Sequence, residues 1–370
     1  MVSGRRVFRV CHWLHRWTGL VAAPFFLILC LTGGVLVFRD EIDSLLGATP
    51  PPAPAAGEAK PLSALAAAAI AARPGMRPIS IYLDPDTPDR AYVGVAPPGP
   101  AVLRDHAAVL INRTTTTPMP YSDPRGTLTG FVFDLHARWL AGPKGELFGG
   151  AIAILVFICL ASGVVVYAPY VRKLLFGSVR HRRGTRLVQL DLHNLLGVVL
   201  LGWAIVVTVT GICLAAGTLL LTHWQETELR AMAEPNAARV ATPVSIDAAA
   251  ASAQAAEPER QMRFLVYPDT DFSGPGHYSF LLYGAHRYDE RLFKVVTVDA
   301  ATGKVAADRP LPMYLKALVL SGPLHFGDYA SWPLKLFWVL CAGGILFITG
   351  NGAVLWWLRR RARRLRAAAA

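Results

Sequence analysis

Four long apolar runs interrupt an otherwise mixed chain of 370 residues: Trp17 to Phe38, Leu147 to Tyr167, Leu195 to Leu221 and Leu334 to Leu358. A helix needs about 20 mostly apolar residues to cross the hydrocarbon of a bilayer, so each run predicts a membrane-spanning helix. A long polar stretch separates the first run from the second, and another separates the third from the fourth. Both stretches repeat one pattern. An Ala-rich segment (Leu62 to Ala72; Ile246 to Ala256) leads into an apolar run ending in a Pro-Asp-Thr turn (Pro85 to Thr87; Pro268 to Thr270). Alternating residues follow (AYVGV; HYSFLLYG), then a hairpin-like pair (VLINRTTTTPM; VTVDAATGKVA). Helix then strands, twice, predicts two small α+β domains.

The spans repeat as well. CHWLHRWTGLVAAPFFLILCLTGG around His15 aligns with QLDLHNLLGVVLLGWAIVVTVTGI around His193. Each has a Gly four residues after the His (Gly19, Gly197) and a Thr-Gly pair starting seventeen residues after it (Thr32-Gly33, Thr210-Gly211). Each half then has a His before its second span (LHARWL at His136; LHFGDY at His325) and a small-residue Gly motif within that span (Ser162-Gly163; Thr349-Gly350). Self-similarity of this kind predicts an internal duplication. Both halves start on the same side, so the repeats are parallel, related by a pseudo-two-fold along the membrane normal. That axis sets His15 opposite His193 and His136 opposite His325.

Charge orients the chain. The short flanks carry Arg5, Arg6, Arg9 and Arg16, then Arg172, Lys173, Arg180, Arg182, Arg183 and Arg186, then six arginines from Arg359 to Arg366, against the single acid Asp191. The two polar stretches hold more acidic than basic residues. Positive residues gather on the cytoplasmic side, which predicts cytoplasmic termini and two extracytoplasmic domains. The net charge of +12 therefore reflects topology, with no basic soluble face for nucleic acid. A composition of 53% hydrophobic and 17% charged residues excludes a water-soluble enzyme and a disordered chain. The first run is longer than a signal peptide's apolar region and is followed by RDEID, so it reads as an anchor. Five cysteines, Cys11, Cys30, Cys159, Cys213 and Cys341, fall in or beside apolar runs and read as small apolar residues.

Ionisable groups at membrane depth are expensive and usually have a partner. Two histidines opposed across an axis supply the paired axial imidazoles that a b-type haem iron needs. Two such pairs imply two b-type haems, one near each face, and hence a path for electrons across the membrane. Gly19 and Gly197, one turn from their histidines, let a flat macrocycle lie against the backbone. The plainer alternatives are an imidazole bonded to a backbone carbonyl and glycines that only pack helices. A copper site or proton relay calls for Met, Cys or carboxylate partners at ligand spacing, and the sequence has none. His12 reads as a neighbour or propionate contact, and His223 as an interfacial surface residue. His106, His181, His277 and His286 read as solvated. Tyr278, Tyr283, His286, Arg287, Tyr288 and Arg291 read as a solvated strand face in preference to the lining of an anionic chelate.

On LHRWTGL, DLHNLLG, the Thr-Gly pairs, the Pro-Asp-Thr turns, LHARWL and LHFGDY, the sequence resembles the PepSY-associated transmembrane proteins over roughly residues 5 to 360. These include iron-uptake-linked inner-membrane proteins and ferric-siderophore reductases. The resemblance implies an α-helical membrane protein with four transmembrane helices as a duplicated parallel repeat, plus two PepSY-like domains. The implied division is 1–16 cytoplasmic, 17–38 first span, 39–135 first periplasmic domain, 136–168 His segment and second span, and 169–192 basic loop. It continues as 193–221 third span, 222–324 second periplasmic domain, 325–358 His segment and fourth span, and 359–370 basic tail. It further implies a bacterial inner-membrane oxidoreductase that carries haem on His15, His193, His136 and His325 and reduces a periplasmic ferric-siderophore substrate to Fe(II). The chain carries no GxGxxG, so the electron donor is expected to be quinol or a separate reductase. Apart from that donor, the ferric chelate and membrane lipid are the expected partners. The competing reading is a non-enzymatic regulator whose outer domains bind a partner such as a protease.

Overall fold

The computed structural model describes residues 2–51, 53–54, 57–171, 177–233, 240, 242–286, 289–329 and 332–368. The helices are α1 (Val2–Leu36), α2 (Arg39–Leu45), α3 (Leu62–Ala72), α4 (Leu128–Arg138), α5 (Gly142–Val171), α6 (Thr185–Val199), α7 (Leu201–Ala215), α8 (Gly217–Trp224), α9 (Ile246–Ala256), α10 (Met313–Phe326) and α11 (Trp332–Ala368). The strands are β1 (Arg77–Tyr82), β2 (Arg90–Ala96), β3 (Ala107–Asn112), β4 (Gln261–Val266), β5 (His277–Tyr283), β6 (Phe293–Asp299) and β7 (Val305–Pro310). The chain divides into two compact units: Met1–Arg39, Leu128–Gly217 and Ser321–Ala370 form one, Asp40–Thr127 and Thr218–Leu320 the other.

The first unit is all helix. α1, α5 and α11 are each long and apolar enough to cross a membrane. The third apolar run departs from the single span its composition predicts. It breaks into α6 and α7, bent by 64°, so the pair makes a fourth span only if the bend is included. α7 ends at Ala215, and residues up to Trp224 form the separate α8. No proline marks the bend. Its site is Leu200, whose side chain lies where a Cβ on Gly344 of α11 would come within 2.5 Å of Cδ1.

α1 packs on α5 through Ala22, Ile152 and Val156, with Phe25, Phe26 and Leu29 against them. The corner between α4 and α5 is tight. Trp139 and Leu140 both take positive φ, 51° and 56°, which non-glycine residues adopt only when the surroundings hold them there. Here the Trp139 ring is held edge-on against Phe25 and Phe148, at centroid separations of 5.7 and 5.3 Å. This corner fixes the end of α4, and with it His136. At the corresponding end of α10, Trp338 Nε1 donates to the His325 carbonyl at 3.0 Å.

The second unit is one seven-stranded antiparallel sheet in the order β3-β2-β1-β4-β5-β6-β7. The strands of the two polar stretches, which the sequence assigns to separate domains, therefore share one sheet. They join where β1 pairs with β4, Ile81 opposite Leu265. The pairing removes two edges that would otherwise leave backbone groups exposed. α3 and α9 bury stripes of Leu and Ala on this sheet, Leu65, Ala66 and Ala69 from one and Ile246, Ala249, Ala250 and Ala253 from the other. Their small side chains let the helices lie close to the strands. Ser245 caps α9, accepting from the Ala248 N–H, and Asp247 accepts the Leu62 N–H at 2.7 Å, so the second Ala-rich helix caps the first.

Three side chains with polar groups sit where the sequence pattern does not place them. Arg90 is almost fully buried; it makes a bidentate pair with Asp89 and donates to the Pro50 and Pro51 carbonyls, both at 2.7 Å. His277, read as solvated, is fully buried with Nδ1 3.0 Å from the Pro275 carbonyl. Tyr278, read as part of a solvated strand face, is also buried, and its hydroxyl donates to the Val244 carbonyl. β5 is covered on both faces, so alternation along it does not separate inside from outside.

Candidate functional site: two histidine pairs

His15 of α1 and His193 of α6 face each other with ring centroids 6.2 Å apart and planes at 77°. His136 of α4 and His325 of α10 do the same at 6.3 Å and 63°. His15 and Thr32, the α1 partner of His136, are seventeen residues apart, so the two pairs lie about 25 Å apart along α1 at 1.5 Å per residue.

Hydrogen bonding fixes the tautomer of three of the four rings. His15 Nδ1 lies 2.9 Å from the Cys159 carbonyl, and a carbonyl only accepts, so Nδ1 carries the proton. His325 Nδ1 lies 3.0 Å from the Val207 carbonyl and 3.1 Å from Thr210 Oγ1. Thr32 Oγ1 lies 2.8 Å from His136 Nδ1 and donates its one hydrogen to the Ile28 carbonyl at 2.7 Å. It therefore accepts from His136 Nδ1–H. In each of these rings Nε2 is left with its lone pair, the form in which imidazole binds a metal while its other nitrogen is held by a second group. Among the described residues, His193 Nδ1 is buried with no hydrogen bond of ordinary geometry.

A glycine backs each ring. A Cβ on Gly163 would come within 3.0 Å of His15, on Gly33 within 3.1 Å of His136, on Gly211 within 3.2 Å of His325, and on Gly352 within 3.5 Å of His193. The Thr-Gly pairs are thus parts of the histidine sites. Gly163 lies 27 residues after His136, and Gly352 lies 27 after His325. The equivalent of Gly163 is therefore Gly352, which the sequence reading missed in favour of Gly350; the spacing from the histidine carried the signal.

The glycines expected to bed a macrocycle divide. A Cβ on Gly19 would meet Cys159 Sγ at 3.0 Å, so Gly19 makes room for a neighbouring helix. Gly197 has open space at that position.

Whether the pairs suit the iron of a haem can be tested on their separation. Metal–imidazole bonds of about 2.0 Å, with about 1.1 Å from nitrogen to ring centre, put two imidazoles on opposite sides of one metal roughly 6.2 Å apart, centroid to centroid. Both pairs have that spacing. Among the described residues no three His, Cys, Asp or Glu side chains gather as a metal site, and two axial ligands suffice for an iron already held by a porphyrin.

The remaining histidines belong to neither pair. His12 stacks on Phe8 at 6.3 Å. His223 is exposed, with its ring 6.1 Å from that of Tyr314, whose hydroxyl donates to Glu228. His106, read as solvated, is half-buried and bonded through Nδ1 to the Leu103 carbonyl, while His181 and His286 are exposed. Tyr283 is half-buried under the Arg263 guanidinium, and burial pushes its phenol up to about 12. Arg287 and Tyr288, and Arg172 and Lys173 of the basic loop, lie outside the described residues. Asp191, the lone acid of the short flanks, is buried and held bidentately by Arg180 at 2.6 and 2.9 Å.

A family model described as a PepSY-associated TM region matches residues 12–359. No curated protein matches the chain.

Proposed function

The chain belongs to the family of PepSY-associated TM regions, and from that premise we propose that it is a dihaem b electron-transfer protein that reduces a ferric-siderophore complex outside the inner membrane of a bacterium. The observation that carries the reading is the pair of histidine couples, each at the spacing of a bis-imidazole iron and each with glycine behind its rings. His15 and His193 would hold one haem, His136 and His325 the other, and the bound iron would supply one-electron transfer.

The chain's own groups do the rest. Thr32 and the Cys159 and Val207 carbonyls keep Nδ1 protonated and orient the rings. The surrounding apolar helices exclude water. The arginine-rich flanks orient the protein with both termini in the cytoplasm and the sheet unit in the periplasm, so the His136–His325 pair is the outer one. The two halves of the chain form a duplicated parallel repeat, which is why the same Thr-Gly and histidine spacings recur. Reduction from Fe(III) to Fe(II) weakens a chelate of hard oxygen donors and frees the metal.

Dithionite-reduced protein, freed of excess reductant, is expected to be reoxidised by ferric siderophores, with Fe(II) captured by a ferrous chelator. His136→Ala should lose this while the His15–His193 site remains reducible. Reoxidation no faster than in oxygen-free buffer across several ferric chelates would show that ferric iron is not the acceptor.

A further inference from the structure

Each histidine of the two pairs meets the same local arrangement on a neighbouring helix. Counted back from the glycine behind the ring, the preceding residue is polar, and the carbonyl four residues before lies beside the imidazole. On α1, Gly33, Thr32 and the Leu29 carbonyl serve His136; on α7, Gly211, Thr210 and the Val207 carbonyl serve His325. On α5, Gly163 and the Cys159 carbonyl serve His15, with Ser162 before the glycine; on α11, Gly352 and the Ile348 carbonyl serve His193, with Asn351 before the glycine. The carbonyl and the polar residue are three apart, and such positions share a helix face.

In three of these cradles the polar residue is a hydroxyl that gives its hydrogen to the carbonyl four residues before it. Thr32 donates to Ile28 and Thr210 to Val206, both at 2.7 Å, and Ser162 donates to Ile158 at 2.6 Å. Its oxygen is then an acceptor, which Thr32 and Thr210 present to Nδ1 of their rings at 2.8 and 3.1 Å.

The fourth cradle differs. Asn351 is 5% exposed, and its Nδ2 donates to the Gln189 carbonyl of α6 at 3.0 Å, which sets which end of the amide is oxygen. The Ile348 carbonyl lies beside His193 without meeting Nδ1 at ordinary hydrogen-bond geometry. Among the described residues, two buried side-chain atoms here lack a partner: His193 Nδ1 and Asn351 Oδ1. With Nε2 kept for a metal, Nδ1 carries the proton, so one is a donor and the other an acceptor. Either left alone in the interior costs about 1–3 kcal/mol.

We propose that Asn351 is the positioning residue of His193, its carbonyl oxygen taking the Nδ1–H as Thr32 takes that of His136. An amide does here what a hydroxyl cannot, because it holds the ring with one end and the α6 backbone with the other. α6 is one arm of the bent pair, and Gln189 stands on it one turn before His193. The two bonds thus fix the ring together with the helix that carries it. The assignment rests on the dihaem reading for its purpose. A bonded Nδ1–H makes an imidazole a stronger ligand through Nε2, which favours Fe(III) and lowers the potential of the iron it holds.

The test is a spectroelectrochemical titration of the purified full-length protein beside Asn351→Leu, Asn351→Thr and Asn351→Asp, with the haem of the His136–His325 site as the control for folding. Asn351→Leu is expected to weaken haem binding at the His15–His193 site at least tenfold and to shift the midpoint potential of what remains upward. Asn351→Thr loses the tie to Gln189 but supplies the hydroxyl of the other cradles, so it should recover most of the affinity and the parent potential. Asn351→Asp, a stronger acceptor, should shift the potential below that of the parent. A Thr variant that behaves like the Leu variant would show that only the tie matters and would overturn the proposal, as would one potential shared by all variants and the parent. A colourless parent would end the dihaem reading, and the bond is then judged by NMR of haem-free protein carrying isotopically labelled histidine. There the His193 Nδ1 resonance should move in Asn351→Leu, and an unmoved resonance would overturn the assignment too.

Discussion

At the scale of single residues, the hydroxyls beside the histidines matter more than their chemistry suggests. Thr32 spends its only hydrogen on the Ile28 carbonyl, which makes its oxygen the acceptor that holds His136 Nδ1–H. Thr32→Val keeps the shape and removes the acceptor. Loss of a group that orients a metal-bound imidazole typically costs 10- to 100-fold in metal affinity. Thr32→Val is therefore expected to lower haem occupancy of the His136–His325 site about tenfold or more. Titrating haem into the apo variant checks this. The four histidines were legible because they recur at fixed spacing. The identity of Gly352 was obscured by a nearby Thr-Gly that looked like the better match, and Gly19 was legible as a close contact but not as a contact with Cys159.

Asp89 is the most informative residue away from the pairs. Burial alone would push its carboxyl up, but the bidentate Arg90 guanidinium outweighs burial and holds it below the usual carboxylate range. A carboxyl whose pKa is depressed in the folded state contributes stability above its unfolded pKa of about 3.9 and loses it as pH falls through the lower folded value. Melting of the sheet unit should therefore show no loss from this pair between neutral pH and about 4, and progressive loss below. Asp89→Asn should destabilise the unit by about 3 kcal/mol at pH 7, the cost of leaving a buried charge without its counter-ion, and should flatten the acid limb of its pH profile.

At the scale of elements, the long helices follow directly from composition, whereas the bend between α6 and α7 does not. Apolarity runs unbroken through Leu200, and at the bend the Leu200 side chain packs over Gly344, a contact nearly 150 residues away. Gly344→Leu should force the two helices apart and lower the melting temperature in detergent, by an overpacking cost of about 1–3 kcal/mol. Leu200→Ala in the same chain should recover part of it. A Gly344→Leu protein that melts like the parent would show that this contact does not set the bend. Capping of α3 by Asp247 was equally hidden, because its partner comes from another Ala-rich helix 185 positions on.

At the scale of the whole molecule, each polar stretch reads correctly as helix then strands, but the sequence does not say how the two meet. Alternation specifies which face of a strand is buried and is silent about which edge it pairs with, so β1 with β4 could not be foreseen. The histidine pairs were foreseeable because spacings that recur in both halves of the sequence supply a long-range constraint that ordinary patterning lacks. His277 and Arg90 were not, since both are polar side chains satisfied inside the sheet by carbonyls and counter-ions that only the fold brings to them. The central claim is that the two pairs each hold one haem. The most direct measurement is the visible spectrum and haem-to-protein ratio of detergent-purified protein from a haem-sufficient host, with His15→Ala, His193→Ala, His136→Ala and His325→Ala beside it. The account predicts a low-spin b-type spectrum with about two haems per chain, the same haem lost from the first two variants, and the other from the last two. A colourless parent protein, or a His136→Ala protein that keeps both haems while His223→Ala loses one, would contradict it.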